Sequence, residues 1–220
     1  MRSSSINRAL QAIGAGTCAW RTALAACCIA WLIGCAASPV ETVSDPLAGV
    51  PAAALSRYAD GVAALEAGHV ARATSTFEGL ARDYPESTGP LRQLAWLAVN
   101  DGDAATGFEY LVRALEVCVA CAPVLTDLGV LHRQRGEFDA AEQAYRDALA
   151  ADADYAAAHF NLAVLYELYR MRPRVAIEHY ERFLALEEDA PDAGQIRAWV
   201  AELERQAQSV SNTAQIERRP

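Results

Sequence analysis

The stretch LTDLGVLHRQRGEFDAAEQAYRDALA, residues 125–150, decides the fold of this chain. In its first half, one face of a helix carries Leu125, Leu128, Gly129 and His132. Its second half carries a facing stripe at Ala141, Tyr145 and Ala148. Small side chains at Gly129 and Ala141 allow the two helix axes to approach closely, and Gly136 suits the turn between them. The stretch therefore predicts a helical hairpin.

The hairpin recurs along the chain with a period of thirty-four residues. Glycines end the segments LEAG, VNDG and RQRG, at Gly68, Gly102 and Gly136. The same step links three further series, which are Gly61, Ala95, Gly129 and Ala163; Ala73, Gly107 and Ala141; and Phe77, Leu111 and Tyr145. Self-similarity at this period indicates a stacked array, in which each unit covers the apolar face of its neighbour.

This pattern resembles the tetratricopeptide repeat. In the third copy the family positions are filled by Leu125, Leu128, Gly129, Ala141, Tyr145 and Ala148, with His132 in place of a tyrosine and Ala153 in place of a proline. The resemblance implies an all-α solenoid of about four helical hairpins over residues 51–190. The implied repeats lie near residues 54–87, 88–121, 122–155 and 156–190.

The two ends of the array depart from the regular pattern. Arg57 and Asp60 occupy positions of the first repeat where large apolar residues are expected. The fourth repeat runs one residue long, and its turn RMRPR lacks a glycine. An apolar stripe after Pro191 predicts a capping helix over residues 191–208, and the polar residues 209–220 are predicted to form a disordered tail.

The first thirty-four residues have the composition of an export signal. Three arginines precede an apolar run over residues 22–34, which is shorter than the roughly twenty residues that span a bilayer. The following LIGC resembles the bacterial lipobox, in which the cysteine is acylated and the chain is cut before it. The resemblance implies removal of residues 1–34 and an acyl and diacylglycerol anchor on Cys35. The alternatives are an uncleaved anchor and a coincidental Gly-Cys pair.

Residues 35–50 contain two prolines and no helical stripe, and we expect a lipidated flexible tether there. Ala36 follows the predicted acylated cysteine, where an aspartate would resemble retention at the inner membrane. The resemblance thus implies an anchor in the outer membrane, with the array facing the periplasm and the lipid bilayer contacted through the acyl chains.

In the tetratricopeptide family the first helix of each hairpin lines an inner surface that holds peptides. Transferring those positions gives a candidate peptide-binding groove of Tyr58, Val62, Arg92, Trp96, Asn100, Thr126, Asp127, Val130, Arg133, Phe160, Asn161, Val164 and Glu167. Aromatic rings next to an arginine, such as Trp96 beside Arg92, are typical of binding hot spots. The alternative is that these rings pack between helices.

The sequence offers little support for catalysis. It has no phosphate-cradling glycine loop, no strand-turn-helix serine motif and no recognisable catalytic acid pair. The net charge of −9 disfavours nucleic acid as a partner. The four histidines are scattered, so we expect no metal site, no cofactor apart from the lipid on Cys35, and no small-molecule substrate.

Two groups of residues leave alternatives open. Cys118 and Cys121 form a CxxC pair at the junction of repeats two and three, which could be a structural disulfide, two inert thiols or an exchange-active pair. Arginines cluster around the turn of the fourth repeat and in its second helix, at Arg170, Arg172, Arg174 and Arg182. Such arginines serve the helix dipole and the solvent, or meet an acidic partner or lipid head groups.

The combined features resemble tetratricopeptide lipoproteins of pilus or secretion-system assembly. The resemblance implies a non-enzymatic scaffold that binds envelope proteins or peptide segments. An adaptor for peptidoglycan hydrolases is an alternative binding role. A thiol-disulfide oxidoreductase that uses Cys118 and Cys121 is the alternative from another class.

Overall fold

The computed structural model describes residues 51–217, and the side chains as far as Ser209. In this part of the chain it contains nine α-helices and no strand, which confirms the predicted all-α solenoid. The helices are α1 (Ala52–Glu66), α2 (Val70–Asp83), α3 (Thr88–Asn100), α4 (Ala104–Val117), α5 (Ala122–Gln134), α6 (Phe138–Ala151), α7 (Ala156–Leu168), α8 (Pro173–Leu186) and α9 (Ala193–Glu217). The predicted signal segment, the Cys35 lipidation site and residues 35–50 fall outside the described residues.

Consecutive helices pair into four hairpins, α1–α2, α3–α4, α5–α6 and α7–α8. Each hairpin packs on the next one along the chain, and α9 packs on α8. First helices of neighbouring hairpins also contact each other, α3 with α5 and α5 with α7. One side of the stack is therefore built from first helices, which places the predicted groove positions on a common side.

Within a hairpin, a large residue of the second helix occupies the space beside a small residue of the first. The ring of Tyr145 is fully buried against Gly129, where an added Cβ would lie 2.5 Å from a ring carbon. Phe77 packs in the same way on Gly61, where that distance would be 2.8 Å. The small residues of the thirty-four-residue pattern thus set how closely the helices approach.

Three of the four turns inside the hairpins contain a left-handed glycine. Gly68, Gly102 and Gly136 have φ angles of 75°, 90° and 77°. The residue after each glycine donates its backbone N–H to a carbonyl near the helix end, as His69 does to Ala64 at 2.8 Å. This arrangement satisfies carbonyls that the helix itself leaves unpaired, and glycine adopts the required φ without a steric penalty.

The turn between α7 and α8 has a different geometry, at the segment that lacks a glycine. Met171 takes the left-handed conformation there, with a φ of 53°. Arg172 donates its backbone N–H to the carbonyl of Tyr166 at 2.9 Å, which closes a longer loop than in the other three turns. The extra residue of the fourth repeat is accommodated in this turn.

The last helix begins close to the predicted cap and ends later. Ile196, Val200 and Leu203 are buried, as the predicted apolar stripe requires. Residues 209–217, predicted as part of a disordered tail, belong to the same helix. No proline or glycine lies between Gly194 and Glu217, so nothing in the backbone chemistry ends the helix at the predicted position.

Candidate functional site

The candidate groove follows the first helices α1, α3, α5 and α7, which carry all the predicted positions. Eight of these positions keep part or much of their surface accessible, namely Tyr58, Val62, Arg92, Trp96, Asn100, Asp127, Val130 and Glu167. Trp96 is the most prominent apolar member, with 45% of its surface exposed on α3. One turn further along α3, the side-chain amide of Asn100 donates to the carbonyl of Trp96 at 2.9 Å.

Polar pairs connect successive first helices across this surface. Gln93 Nε2 on α3 donates to the Tyr58 hydroxyl on α1 at 2.8 Å. One repeat further, Arg92 Nε donates to Asp127 Oδ2 at 2.5 Å, and Arg92 Nη2 donates to Asp127 Oδ1 at 3.3 Å. Both pairs join residues thirty-five positions apart, so they are the same contact repeated in the next hairpin.

The Arg92–Asp127 pair is the main charged feature of the surface. Burial disfavours the charged guanidinium, but the Asp127 carboxylate outweighs that effect and raises the pKa of Arg92. Tyr155, which the sequence did not predict as a site residue, lies beside the same guanidinium, and burial raises the pKa of its hydroxyl. Because both forked contacts of the arginine are used by Asp127, Arg92 is held rigidly next to Trp96.

Five predicted groove residues are buried in the structure, which are Thr126, Arg133, Phe160, Asn161 and Val164. The Phe160 ring packs 5.8 Å from the ring of Tyr180 and 5.2 Å from that of Phe183, measured between centroids. Phe160 is therefore a core residue, and its predicted place on the open surface is wrong. Arg133 Nε donates to the Tyr145 hydroxyl at 3.4 Å, which keeps this arginine inside the hairpin.

The equivalent pair between the third and fourth hairpins is not hydrogen-bonded. Thr126 on α5 and Asn161 on α7 occupy the positions equivalent to Arg92 and Asp127. Thr126 Oγ1 and Asn161 Oδ1 are buried and have no hydrogen-bond partner among the described residues. The Asn161 amide nitrogen instead donates to the carbonyl of Ala157 at 2.8 Å. The polar connection between first helices thus weakens toward the fourth hairpin.

Cys118 and Cys121 are joined by a disulfide, with their Cα atoms 5.5 Å apart. Cys118 follows the last residue of α4 and Cys121 precedes the first residue of α5. The bond therefore closes the connection between the second and third hairpins, which corresponds to the structural reading of the CxxC pair.

The histidines make local contacts in separate places. His132 Nδ1 lies 2.6 Å from Glu137 Oε2, and the Nδ1 atoms of His159 and His179 lie 3.0 Å apart. Within residues 51–217 no group of three or more His, Cys, Asp or Glu side chains is arranged to hold a metal ion. Across the same residues, none of the helices combines the length and the apolar character needed to cross a bilayer.

Part of the arginine cluster is neutralised by acids. Arg170 pairs with Asp139 and, at 3.2 Å, with Glu142. Arg182 pairs with Asp154. These ion pairs connect the fourth hairpin to α6 and to the loop after it.

Comparison with known families agrees with this architecture. Residues 129–168 match a family model described as a TPR repeat, and they run from the middle of α5 through α6 to the end of α7. The chain has the tetratricopeptide-repeat fold. The matched repeat covers residues 129–168, and the helical hairpins before it stack in the same way. No curated protein matches the sequence significantly.

Several solved structures share the fold. The pilF protein of Pseudomonas aeruginosa is 22% identical over 70% of this chain and 70% of its own, with a TM-score of 0.59. TTC0263, a thermophilic TPR protein of Thermus thermophilus, is 24% identical over 71% of this chain and 84% of its own, with a TM-score of 0.58. MamA is 21% identical over 72% and 87%, with a TM-score of 0.51. At these identities the likeness concerns the fold.

Proposed function

We propose that this tetratricopeptide protein is a non-enzymatic scaffold of the bacterial cell envelope. Its first-helix side binds another polypeptide, and acyl chains on Cys35 hold it to the outer membrane with the array in the periplasm. The observation that carries the binding role is the exposed Trp96 next to the rigid Arg92–Asp127 pair. An aromatic side chain beside an ordered arginine loses little conformational entropy when a partner covers it.

A photo-crosslinking residue in place of Trp96 tests this role in cells. We expect it to capture one or a few envelope proteins. The matched control places the same residue at Val112, which is similarly exposed but lies on the second helix α4. Capture of the same proteins from both positions, or from Val112 alone, would show that the first-helix side is not the binding surface.

The lipid anchor needs its own test because Cys35 lies outside the described residues. The lipobox resemblance supports acylation, and it predicts that the protein floats with outer-membrane vesicles in a density gradient. Cys35→Ser should leave the protein uncleaved or soluble and remove the acyl mass from its first tryptic peptide. Flotation with an unmodified cysteine would contradict the anchor.

The partner's identity decides between the envelope machines. Pilus or secretion-system assembly is our first proposal, on the basis of the lipobox resemblance at Cys35 followed by four tetratricopeptide hairpins. Capture of a channel or pilus subunit at Trp96 would support it, whereas capture of a peptidoglycan hydrolase would favour the adaptor role. The redox alternative predicts that Cys118→Ser with Cys121→Ser abolishes function, and we expect that this double variant still captures its partner.

A further inference from the structure

The turn between α7 and α8 carries an apolar side chain in a strained conformation. The three equivalent turns use Gly68, Gly102 and Gly136 at the left-handed position, and this turn uses Met171. A side chain in the left-handed region is unfavourable, and such conformations concentrate at functional sites. Met171 is 79% exposed, so packing inside the protein does not explain its presence.

The neighbouring residues extend the apolar surface around Met171. Leu168 is 43% exposed and Tyr169 is 41% exposed. The Tyr169 ring lies 4.7 Å from the Phe138 ring between centroids, and the Arg133 guanidinium lies 5.9 Å from the centre of the Tyr169 ring. Phe138 and Arg133 thus contact part of the Tyr169 ring, and the rest of the side chain is exposed to solvent. We call Leu168, Tyr169 and Met171 the Met171 tip.

Positive charge borders the Met171 tip on a chain whose net charge is −9. Arg170 is neutralised by its pairs with Asp139 and Glu142. Arg172 is exposed and forms no ion pair with any residue of the described range. Arg174, the second residue of α8, is also exposed. The tip therefore combines protruding apolar atoms with at least one uncompensated cation.

We propose that the Met171 tip inserts shallowly into an anionic phospholipid surface. A stable protein interface buries about 800 Å² per partner, which is more than one turn with three partly exposed side chains provides. A bilayer needs no such area, because apolar side chains enter its interface while tyrosine and arginine remain at the level of the head groups. The proposal deepens the proposed function, since an anchor on Cys35 would keep the array near the membrane and make a weak second contact sufficient.

Met171 itself provides the measurement. It is the only methionine after Met1, so its oxidation can be followed in a single peptide by mass spectrometry. Dilute hydrogen peroxide transfers one oxygen atom to the thioether and leaves water, and insertion into lipid slows this reaction. The purified full-length protein is placed in vesicles of phosphatidylcholine, with or without a third of phosphatidylglycerol. We expect oxidation to be at least about fivefold slower in the anionic vesicles, and the difference to disappear at about 1 M salt.

Two variants make the result specific. Arg172→Glu reverses the uncompensated charge and should weaken partitioning by more than about tenfold, so that oxidation proceeds equally fast in both vesicles. The double variant Met171→Gly with Gly102→Met moves the methionine to the equivalent turn of the second hairpin. That turn lacks the leucine and tyrosine, so its methionine should oxidise at the same rate on both lipids.

Equal oxidation rates of the wild-type protein on both lipids would overturn the proposal. Protection of Met171 by soluble polyglutamate but not by anionic vesicles would also overturn it and assign the tip to an acidic protein. Vesicle flotation of the wild type and Cys35→Ser reports separately on the anchor. If the protein lacks the anchor but anionic vesicles still protect Met171 from oxidation, the proposed localisation is refuted and the lipid contact of the Met171 tip is supported.

Discussion

At the scale of single residues, Met171 holds a left-handed conformation that the other three turns assign to glycine. Replacing Met171 by glycine removes the left-handed strain, and the greater freedom of glycine in the unfolded chain offsets part of the gain. We expect Met171→Gly to raise the free energy of unfolding by about 0.5–1 kcal/mol, measured by urea denaturation. Gly136→Ala should lower it by about 1 kcal/mol, because Gly136 has a φ of 77°. A destabilised Met171→Gly protein would show that the side chain supports the turn.

Gly129 tests the close contact inside the third hairpin. A Cβ at this position would lie 2.5 Å from the ring of Tyr145, which is fully buried. Gly129→Ala should therefore lower the free energy of unfolding by about 1–3 kcal/mol. Gly194→Ala is the matched control, because nothing lies within 4 Å of its added Cβ, and it should be neutral or stabilising. Equal effects of the two substitutions would rule out steric crowding at Gly129.

At the scale of helices, the disulfide connects the end of α4 to the start of α5. A loop this short loses little entropy on closure, so Cys118→Ser with Cys121→Ser should lower the free energy of unfolding by about 2 kcal/mol. The folded helix content, measured by circular dichroism, should not change. Reduction of the wild type with dithiothreitol should reproduce the loss. A reduced protein of unchanged stability would mean that the cross-link does not constrain the unfolded chain.

The contact between α7 and α8 should make stability depend on pH. Burial lowers the pKa of His179 to about 4, and the nearby His159 and Arg146 act in the same direction. A histidine in the unfolded chain has a pKa of about 6.5. Between the two pKa values, the unfolded chain therefore binds a proton that the folded protein does not bind. The free energy of unfolding should therefore fall as the pH decreases from about 6.5 to about 4. Urea denaturation at about pH 7 and about pH 5 should show a smaller difference for His179→Gln than for the wild type.

The helices and turns follow closely from the period, whereas the surface of the fourth hairpin does not. Spacing alone predicted the close approach of the two helices at small residues, because helix contacts inside a hairpin are local. The structure adds that the rings of Phe77 and Tyr145 pack on Gly61 and Gly129. Phe160 was misassigned because α7 is buried on nearly all sides, against α5, α6 and α8. Transfer of family positions assumes that one side of each first helix stays open.

The partners of the surface residues were also missed. Gln93 contacts Tyr58 from the next repeat. Tyr155, at the junction of the third and fourth repeats, contacts Arg92 of the second repeat. A step of one repeat plus one residue along the sequence would have identified Gln93 and the Arg92–Asp127 pair. Tyr155 precedes α7 and gave no such sign, because its position depends on how the second, third and fourth hairpins stack.

At the scale of the whole molecule, the contacts run mainly between neighbours along the chain, so the stack should lose structure from its ends. Ile196 is fully buried between α9 and the stack, and Ile196→Asp places an unpaired charge there, which should cost about 3–5 kcal/mol locally. Hydrogen exchange should accelerate most in α8 and α9 and less in α7. The amides of α1 and α2 should stay as protected as in the wild type. Ala201→Asp, at an exposed position of the same helix, should change none of these rates. Uniform acceleration in all helices would instead mean that the four hairpins and the last helix unfold as one cooperative unit.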